Sequence, residues 1–332
     1  KDIFEDLFLQ LETILSAKPK GHFNQVYDQI VSFGELLSTK IVSIYLNQEG
    51  FDNQWLDARK VIRTDQNHRA ARVNWPLTRR LLNEHYQEDR VYLTQGFIGS
   101  DDDRNPTTLG REGSDYTASV LGYLLNAEEV IIWKDVPGVL NGDPKVFSDS
   151  KLLHQISYRE AIELAFYGAS VIHPKTIQPL QEKKIPLFVR SFINPEGAGT
   201  KICEGLDLVP FQPCFIRKTE QVLLKLSTRD LAFIAEDHLS QIYQKFHQYG
   251  LRVNLSQHAA TSSAFCLNHD KLALPQLSEE LAQTFDLSRE GDLSLFTVRH
   301  PNAEALEQIR NRGMMVLEQQ YGNTYQIVLR EQ

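Results

Sequence analysis

Thr107-Thr108-Leu109-Gly110-Arg111-Glu112-Gly113-Ser114-Asp115-Tyr116 is the densest stretch of the chain. Two glycines interrupt a short polar run, and apolar residues then recur at helical spacing from Tyr116 to Leu125. The pattern predicts a glycine-rich loop feeding a helix that begins near Ser114–Asp115. Such a helix start offers free N–H groups and the positive end of the helix dipole, which can bind a carboxylate or a phosphate. Arg111 adds a planar guanidinium suited to a bidentate carboxylate. The same residues also make an ordinary strand–loop–helix connection with Ser114 or Asp115 as N-cap. Read alone, the stretch leaves both open.

Upstream, Val91–Leu93 reads as a short buried strand, and Gln95-Gly96-Phe97-Ile98-Gly99 turns on two glycines directly after it. Downstream, Val130–Trp133 and Leu187–Val189 read as further buried strands, with a second helix over Tyr158–Tyr167 between them. Ser157 and Glu160 have capping-box spacing at its start, and Gly168 closes it. Strands alternating with helices predict an α/β domain with a mainly parallel sheet sandwiched by helices. Open sheets of this kind bind ligands at the C-terminal ends of strands. There lies Trp133-Lys134-Asp135-Val136-Pro137-Gly138-Val139-Leu140-Asn141-Gly142-Asp143-Pro144-Lys145. Lys134 and Lys145 can neutralise phosphates, and Asp143 can cap a turn before Pro144; the competing reading is a surface turn with solvated lysines.

Residues 1–48 read as helices, with Phe4, Leu7, Phe8 and Leu11 at helical spacing and later Val26, Ile30 and Leu36. Glu35 follows Gly34 directly and reads, on general grounds, as a helix-start residue. His173, next to Pro174, reads as structural. Pro195-Glu196-Gly197-Ala198-Gly199 marks the approach to a boundary, and residues 203–221 read as a connector. Beyond it a strand–helix–strand–strand rhythm runs about twice. Its first pass takes in Val222–Leu226, Asp237–Tyr249, Leu251–Leu255 and Ala264–Leu267; its second takes in Leu293–Val298, Ala303–Arg310 and Tyr325–Leu329. That rhythm suits a pair of ferredoxin-like α+β modules. The expected division is 1–205 and 215–332.

At 332 residues the chain has room for two or three domains. Its net charge of -8 argues against nucleic acid as the main partner, since duplex binding rests on phosphate neutralisation. No stretch approaches the roughly 18 uninterrupted apolar residues of a membrane span. The acidic opening Lys1-Asp2-Ile3-Phe4-Glu5-Asp6 has no signal-peptide core. Cys203, Cys214 and Cys266 are widely spaced, which points away from a zinc cage or a disulfide framework and towards a reducing, cytoplasmic setting. Neither a P-loop, nor a G-x-G-x-x-G after a strand, nor a protein-kinase H-R-D…D-F-G pair occurs in the sequence.

Taken in order, six segments resemble the aspartate kinases of the amino-acid kinase fold: F-G-E-L-L-S-T at 33–39, Q-W-L-D-A-R at 54–59, T-Q-G-F-I-G at 94–99, T-T-L-G-R-E-G-S-D-Y at 107–116, I-W-K-D-V-P-G-V at 132–139 and Y-G-A-S-V-I-H-P-K-T at 167–176. The resemblance is collinear from about residue 20 to about residue 200, and the tail resembles paired ACT modules. It implies ATP-dependent phosphorylation of the side-chain carboxylate of L-aspartate, the first step of lysine, threonine and methionine biosynthesis. ATP and Mg2+ are the implied cofactors. By the same resemblance Glu35 holds the α-ammonium of aspartate, Arg111 and Ser114 hold its carboxylates, and Phe97 belongs to the substrate pocket. Asp115, with Arg111, acts beside the reacting centre. Lys134, Asp135, Gly138, Leu140, Asp143, Pro144, Lys145 and Ser170 line the nucleotide pocket, and no side chain is assigned as a direct metal ligand. A homodimer and an amino-acid effector at the ACT modules are also implied, with neither nucleic acid nor membrane as partner. Phosphoryl transfer suits such a site, because it depends on positioning and charge neutralisation. A carboxylate acceptor is already ionised at neutral pH, so no general base is required.

The chain departs from the family pattern in four places. The opening K-F-G-G strand–loop has no counterpart within it and is expected ahead of Lys1. Ser170 stands where many members carry lysine, and Lys134 where threonine is usual. In lysine-inhibited members a serine–glutamate pair and an aspartate help to hold the inhibitor, and Ala259, Ala260 and Asn254 occupy those places in Val253–Thr261. A kinase of the same fold acting on glutamate, acetylglutamate or UMP is the rival enzyme, and a non-catalytic ACT amino-acid sensor is the rival class. G-E-L together with R-E-G-S-D-Y favours aspartate, and the retention of Glu35, Arg111, Ser114 and Asp115 favours catalysis.

Overall fold

The computed structural model describes residues 2–16, 21–169, 171–205, 207–230 and 232–331. Helices α1 (Asp2–Ser16) and α2 (Phe23–Gln48) come first. Strand β1 (Gln54–Leu56), helices α3 (Ala58–Val61) and α4 (Trp75–His85), and strands β2 (Tyr92–Thr94), β3 (Ile98–Ser100) and β4 (Pro106–Thr108) follow. Next are α5 (Gly113–Leu125), β5 (Val130–Lys134), β6 (Gln155–Ser157), α6 (Tyr158–Tyr167), α7 (Pro174–Lys183), β7 (Leu187–Ser191) and β8 (Thr200–Cys203). The remainder is β9 (Cys214–Thr228), α8 (Glu236–Gln248), β10 (Val253–His258), β11 (Ser262–Asn268), α9 (Ala273–Leu281), β12 (Phe285–Arg299), α10 (Ala303–Arg310), β13 (Gly313–Tyr321) and β14 (Thr324–Glu331). These residues form two compact units. The first holds 1–135, 172–196 and 201–205; the second holds 136–171, 197–200 and 206–332.

In the first unit, β1 pairs with β2 and β5 with β7, both in parallel, from Gln54↔Tyr92 and Val130↔Leu187 onward. Strand β3 pairs antiparallel with β4 because the chain turns straight back between them. The turn is held by Asp101, whose Oδ1 accepts from Asn105 N at 2.7 Å and whose Oδ2 accepts from Asn105 Nδ2 at 3.1 Å. Helix α2 lays Phe33 and Leu36 into a core shared with Leu56, Ile62, Ile98, Leu109 and Val120. Glu35 therefore sits mid-helix and not at a helix start. A mid-helix glycine costs about 1 kcal/mol, less than burial of the two apolar neighbours contributes, so Gly34 does not break the helix.

In the second unit, six strands pair antiparallel in the order β10-β11-β9-β12-β14-β13. This is the expected strand–helix–strand–strand module run twice, joined by the long central strands β9 and β12. Strand β9 reads V-L-L at its centre because both of its faces are covered. Val222, Leu224 and Leu226 face the cluster containing Phe246 and Leu274, while Leu223 faces the one containing Leu255 and Leu293. The expected connector 203–221 is strand from Cys214 on, since β9 extends its ladder with β12 down to Cys214↔Arg299. Helix α9, unforeseen from the sequence, buries Leu274, Leu277 and Leu281. The three cysteines are free and buried. Among the described residues no helix is long and apolar enough to cross a membrane.

Helix α6 begins as its sequence predicts: Ser157 Oγ accepts from Glu160 N at 3.1 Å, and Gly168 closes the helix with φ 121°. Glu160 also points into the sheet side of the second unit. Arg299 Nε and Nη2 donate to its two oxygens at 3.1 and 2.6 Å, and His300 Nε2 lies 3.1 Å away. Burial raises the Glu160 carboxyl, but His300 and Arg299 outweigh it and hold the group down to about 2. A carboxylate depressed in the folded state stabilises that state above its ordinary value of 4.5, and the contribution is lost as pH falls towards about 2. The stability difference between wild type and Glu160→Gln, followed by urea unfolding, should stay constant above pH 4.5 and shrink between pH 4.5 and 2. A difference that does not vary over that window would mean that the ion pair contributes nothing.

Candidate functional site

Two glycine segments of the first unit meet backbone to backbone. A Cβ built on Gly96 would stand 2.7 Å from Ser114 Cα, and one on Gly113 would stand 2.6 Å from Phe97 Cδ2. Neither position tolerates a side chain without displacing the other segment. The contact is fastened by Thr117, whose Oγ1 accepts from Phe97 N at 3.0 Å and donates to Gly113 O at 2.9 Å. Leu109 N donates to Phe97 O at 2.8 Å, so the T-T-L-G loop joins the same knot.

Helix α2 holds that loop from the other side. Asp28 is completely buried and accepts from Thr108 N at 3.0 Å, Thr108 Oγ1 at 2.8 Å and Arg69 N at 2.9 Å, with His68 Nδ1 3.1 Å away. Glu35 lies seven residues on, in the same stripe of the helix. One turn further, Thr39 Oγ1 accepts from Gln95 Nε2 at 2.8 Å and from Trp55 Nε1 at 3.1 Å. Glu35 is thus bracketed by two fixed points, one tied to the glycine loop and one to the strand before Gly96. Burial raises its carboxyl above the ordinary range.

A cavity of about 480 Å³ opens at the start of α5, with Phe97, Arg111, Ser114, Asp115 and Lys134 in its wall, joined by Tyr27, Arg69 and Glu112. Five of the expected site residues therefore come together, while Glu35 stands on its helix outside the wall. The N-cap of α5 is Glu112, in left-handed backbone with φ 51°, and its side chain makes no cap. Neither Ser114 nor Asp115 is the N-cap, and among the described residues no side chain caps the first-turn N–H groups. Lys134, the last residue of β5, forms an ion pair with Asp115 at 2.9 Å. Oε2 of Glu112 is buried and has no hydrogen-bond partner among the described residues.

Lys175 reaches the same loop from α7. Its Nζ donates to Leu109 O at 2.9 Å and lies 4.3 Å over the Tyr116 ring. Burial lowers its ammonium, partly countered by the charge of Asp65. His173 is structural, as expected: its Nδ1 accepts from Lys175 N at 3.1 Å and caps α7.

Of the expected nucleotide residues, Lys134 and Asp135 belong to the first unit, and Gly138, Leu140, Asp143, Pro144 and Lys145 to the second. Gly138 has φ 145°, and a Cβ there would meet Thr200 Oγ1 at 2.6 Å. Asp143 makes the expected turn, its Oδ1 accepting from Lys145 N at 2.9 Å. Ser170 lies outside the described residues. Sequence reasoning missed Asp28, Glu112 and Lys175. The signal for Asp28 was an acid on the otherwise buried stripe of α2. Lys175 lay in a quoted run without a role, and Glu112 sat between two glycines where the backbone must turn.

Asp28→Ala would leave the Thr108 and Arg69 N–H groups without an acceptor. Each unmade buried bond costs about 1–3 kcal/mol, so urea unfolding should show a loss on the order of 3 kcal/mol. A loss below about 0.5 kcal/mol, the usual scale for surface substitutions, would show that the carboxylate does not hold the loop.

The model of the amino acid kinase family matches residues 5–191. The lysine-sensitive aspartokinase 3 of Escherichia coli (strain K12) is 36% identical over 276 residues, covering 81% of this chain and 60% of that protein. The chloroplastic aspartokinase 1 of Arabidopsis thaliana is 32% identical over 261 residues, covering 76% of this chain and 46% of that protein. The chain thus spans about half the length of the curated relatives it matches. Among solved structures, E. coli aspartokinase III in complex with lysine and aspartate superposes with a TM-score of 0.79 at 28% identity, over 99% of this chain and 78% of that one. The same enzyme in complex with aspartate and ADP gives 0.78 at 27% identity, over 99% and 77%.

Proposed function

The chain belongs to the amino acid kinase family, and from that premise we propose that it is an aspartate kinase, which transfers the γ-phosphoryl group of ATP to the side-chain carboxylate of L-aspartate. One observation carries the reading. Arg111, Ser114 and an Asp115–Lys134 ion pair share one cavity at an uncapped helix start, and the chain resembles over almost its whole length an enzyme solved with aspartate and ADP.

Each residue then has a task. Glu35 accepts the α-ammonium, and that cation favours the ionised carboxylate which burial disfavours. Arg111 and Ser114 hold carboxylates, with the N–H groups at the start of α5 behind them, and Phe97 closes the substrate side. Asp115 orients the reacting centre, and Lys134 keeps its charge compensated at 2.9 Å. The turn carrying Gly138, Leu140, Asp143, Pro144 and Lys145 is the part of the second unit that would hold the nucleotide. ATP would supply the phosphoryl group when bound, with Mg2+ to neutralise its charge. The acceptor carboxylate needs no deprotonation.

The reading assigns catalysis to 1–205 and regulation to 215–332, in a cytoplasmic homodimer whose unpaired edge strands β10 and β13 are open to pairing. With MgATP, the protein should release ADP with L-aspartate far faster than with L-glutamate, acetylglutamate or UMP. Arg111→Ala should raise the KM for aspartate about tenfold or more, the worth of a charge-assisted bidentate contact. Equal turnover with any of the other three acceptors would refute the assignment.

An amino-acid effector belongs to the same reading, because the relative of known structure was solved with lysine. Here Asn254 stands in the strand expected to meet it, and its polar atoms are already engaged. Its Nδ2 donates to Gln221 Oε1 at 2.8 Å and to Asn268 Oδ1 at 2.7 Å, and its Oδ1 accepts from Lys218 Nζ at 2.8 Å. A second ammonium would find a cation where the resemblance to lysine-inhibited members implies an aspartate. Losing about 3 kcal/mol of pairing weakens binding on the order of a hundredfold. Lysine titrated into the ADP-release assay should therefore inhibit only weakly. Strong inhibition that Asn254→Ala abolishes would show a working lysine pocket.

A further inference from the structure

Asp143-Pro144-Lys145 is an exposed crown on a loop that is anchored in the second unit by the buried Asn141 and Phe147 on either side of it. Its two ends are tied through Asn141, whose N donates to Lys151 O at 3.0 Å and whose Oδ1 accepts from Lys151 N at 2.7 Å. Asn141 is itself tied to the approach of β9: Nδ2 donates to Pro213 O at 2.9 Å, and its carbonyl accepts from Phe215 N at 2.6 Å. Behind the crown, Asp143 O accepts from Val146 N at 2.9 Å and Phe147 N at 2.8 Å. Phe147 is 5% exposed and sits in a core with Phe296, Val298, Ala305, Ile309 and Ile327. It stacks on Phe215 with ring centroids 4.9 Å apart.

One side chain of the second βαββ module closes this arrangement. Arg312, two residues past the end of α10, places its guanidinium 4.5 Å over the Phe147 ring and donates from Nη2 to Val146 O at 3.1 Å. Both contacts fall on the residues whose N–H groups shape the crown. Resting on the nucleotide-binding reading of this loop, we propose that Arg312 is a positioning residue: it fixes Asp143-Pro144-Lys145 in the conformation that binds the nucleotide, and so links α10 to nucleotide affinity. The guanidinium is suited to the task because its plane can cover the ring while an edge N–H reaches the carbonyl. A lysine ammonium at the same place can do only one of the two. Any change that moves α10 over the sheet is transmitted to the crown through this residue, with no contact between Arg312 and the nucleotide.

The test is a titration of a fluorescent ADP analogue into the full chain, wild type against Arg312→Ala and Arg312→Lys, with the KM for L-aspartate measured alongside. Arg312→Ala should bind ADP on the order of tenfold more weakly, equivalent to about 1.4 kcal/mol, with the aspartate KM unchanged and Arg312→Lys between the two. Hydrogen exchange of the Val146 and Phe147 amides should quicken in Arg312→Ala without nucleotide. Unchanged ADP affinity in Arg312→Ala, or equal weakening for ADP and aspartate, overturns the proposal and leaves Arg312 a packing residue. Wild-type protein that binds no ADP overturns the nucleotide reading itself, an outcome separable from the first because it appears before any substitution is made.

Discussion

A carboxylate with no access to water must find its hydrogen bonds inside the protein, and Asp28 finds them on the loop that shapes the site. Its donors are the Thr108 N–H and hydroxyl and the Arg69 N–H, with His68 alongside. Because those donors come from two separate loops, the acid fixes helix α2 against both at once. Everything built on α2 inherits that register, including Glu35 in the same stripe and Thr39 gripping Gln95 one turn later. The Gly96–Ser114 approach then has a firm side to press against, and α5 can begin at Gly113 without a capping side chain. An uncapped start is a local loss of stability. It is tolerable because Thr117, Leu109 and Lys175 secure the neighbouring backbone.

The second unit follows the same economy with different groups. Its sheet supplies buried faces, but the segment 136–171 is attached at particular side chains. Glu160 is held by Arg299 and His300 at one place, and Phe147 is enclosed by Phe215, Phe296 and Arg312 at another. Single arginines thus fasten chosen parts of that segment to the strand that ends at Arg299 and to the residues just after α10.

Much of this was legible in the sequence wherever the signal is periodic. α2 and α5 appear where apolar spacing places them, though neither starts at an expected capping residue, and for α6 the Ser157–Glu160 and Gly168 signals mark both ends. Strands pairing with distant partners were legible only in their apolar cores: β9 runs from Cys214 because β12 lies beside it, and no local residue announces that. α9 was missed because it follows a turn at Asp270 and carries no side-chain cap of its own. In the site, motif residues were found and their holders were not. Asp28, Lys175 and Arg312 act on residues 80, 66 and 166 positions away in sequence, and a spacing of that size leaves no trace in a window of the chain.

The balance of charge in the cavity ties together two features that look unrelated in sequence. Glu112 occupies a left-handed position that glycine takes without cost, and it carries a carboxylate oxygen with no hydrogen-bond partner among the described residues. A negative group at a helix start gains from the dipole, but it also repels any anion that enters the cavity. Lys134, where threonine is usual in the resembling family, places an ammonium in the same cavity and against Asp115. With Arg69 and Arg111 the wall then holds three cations against two acids, so an incoming anion still meets a net positive surface. The acid at 112 is compatible with anion binding because the lysine at 134 is present. Neither residue can be judged from its own position in the sequence, because the quantity that matters is the charge they leave between them.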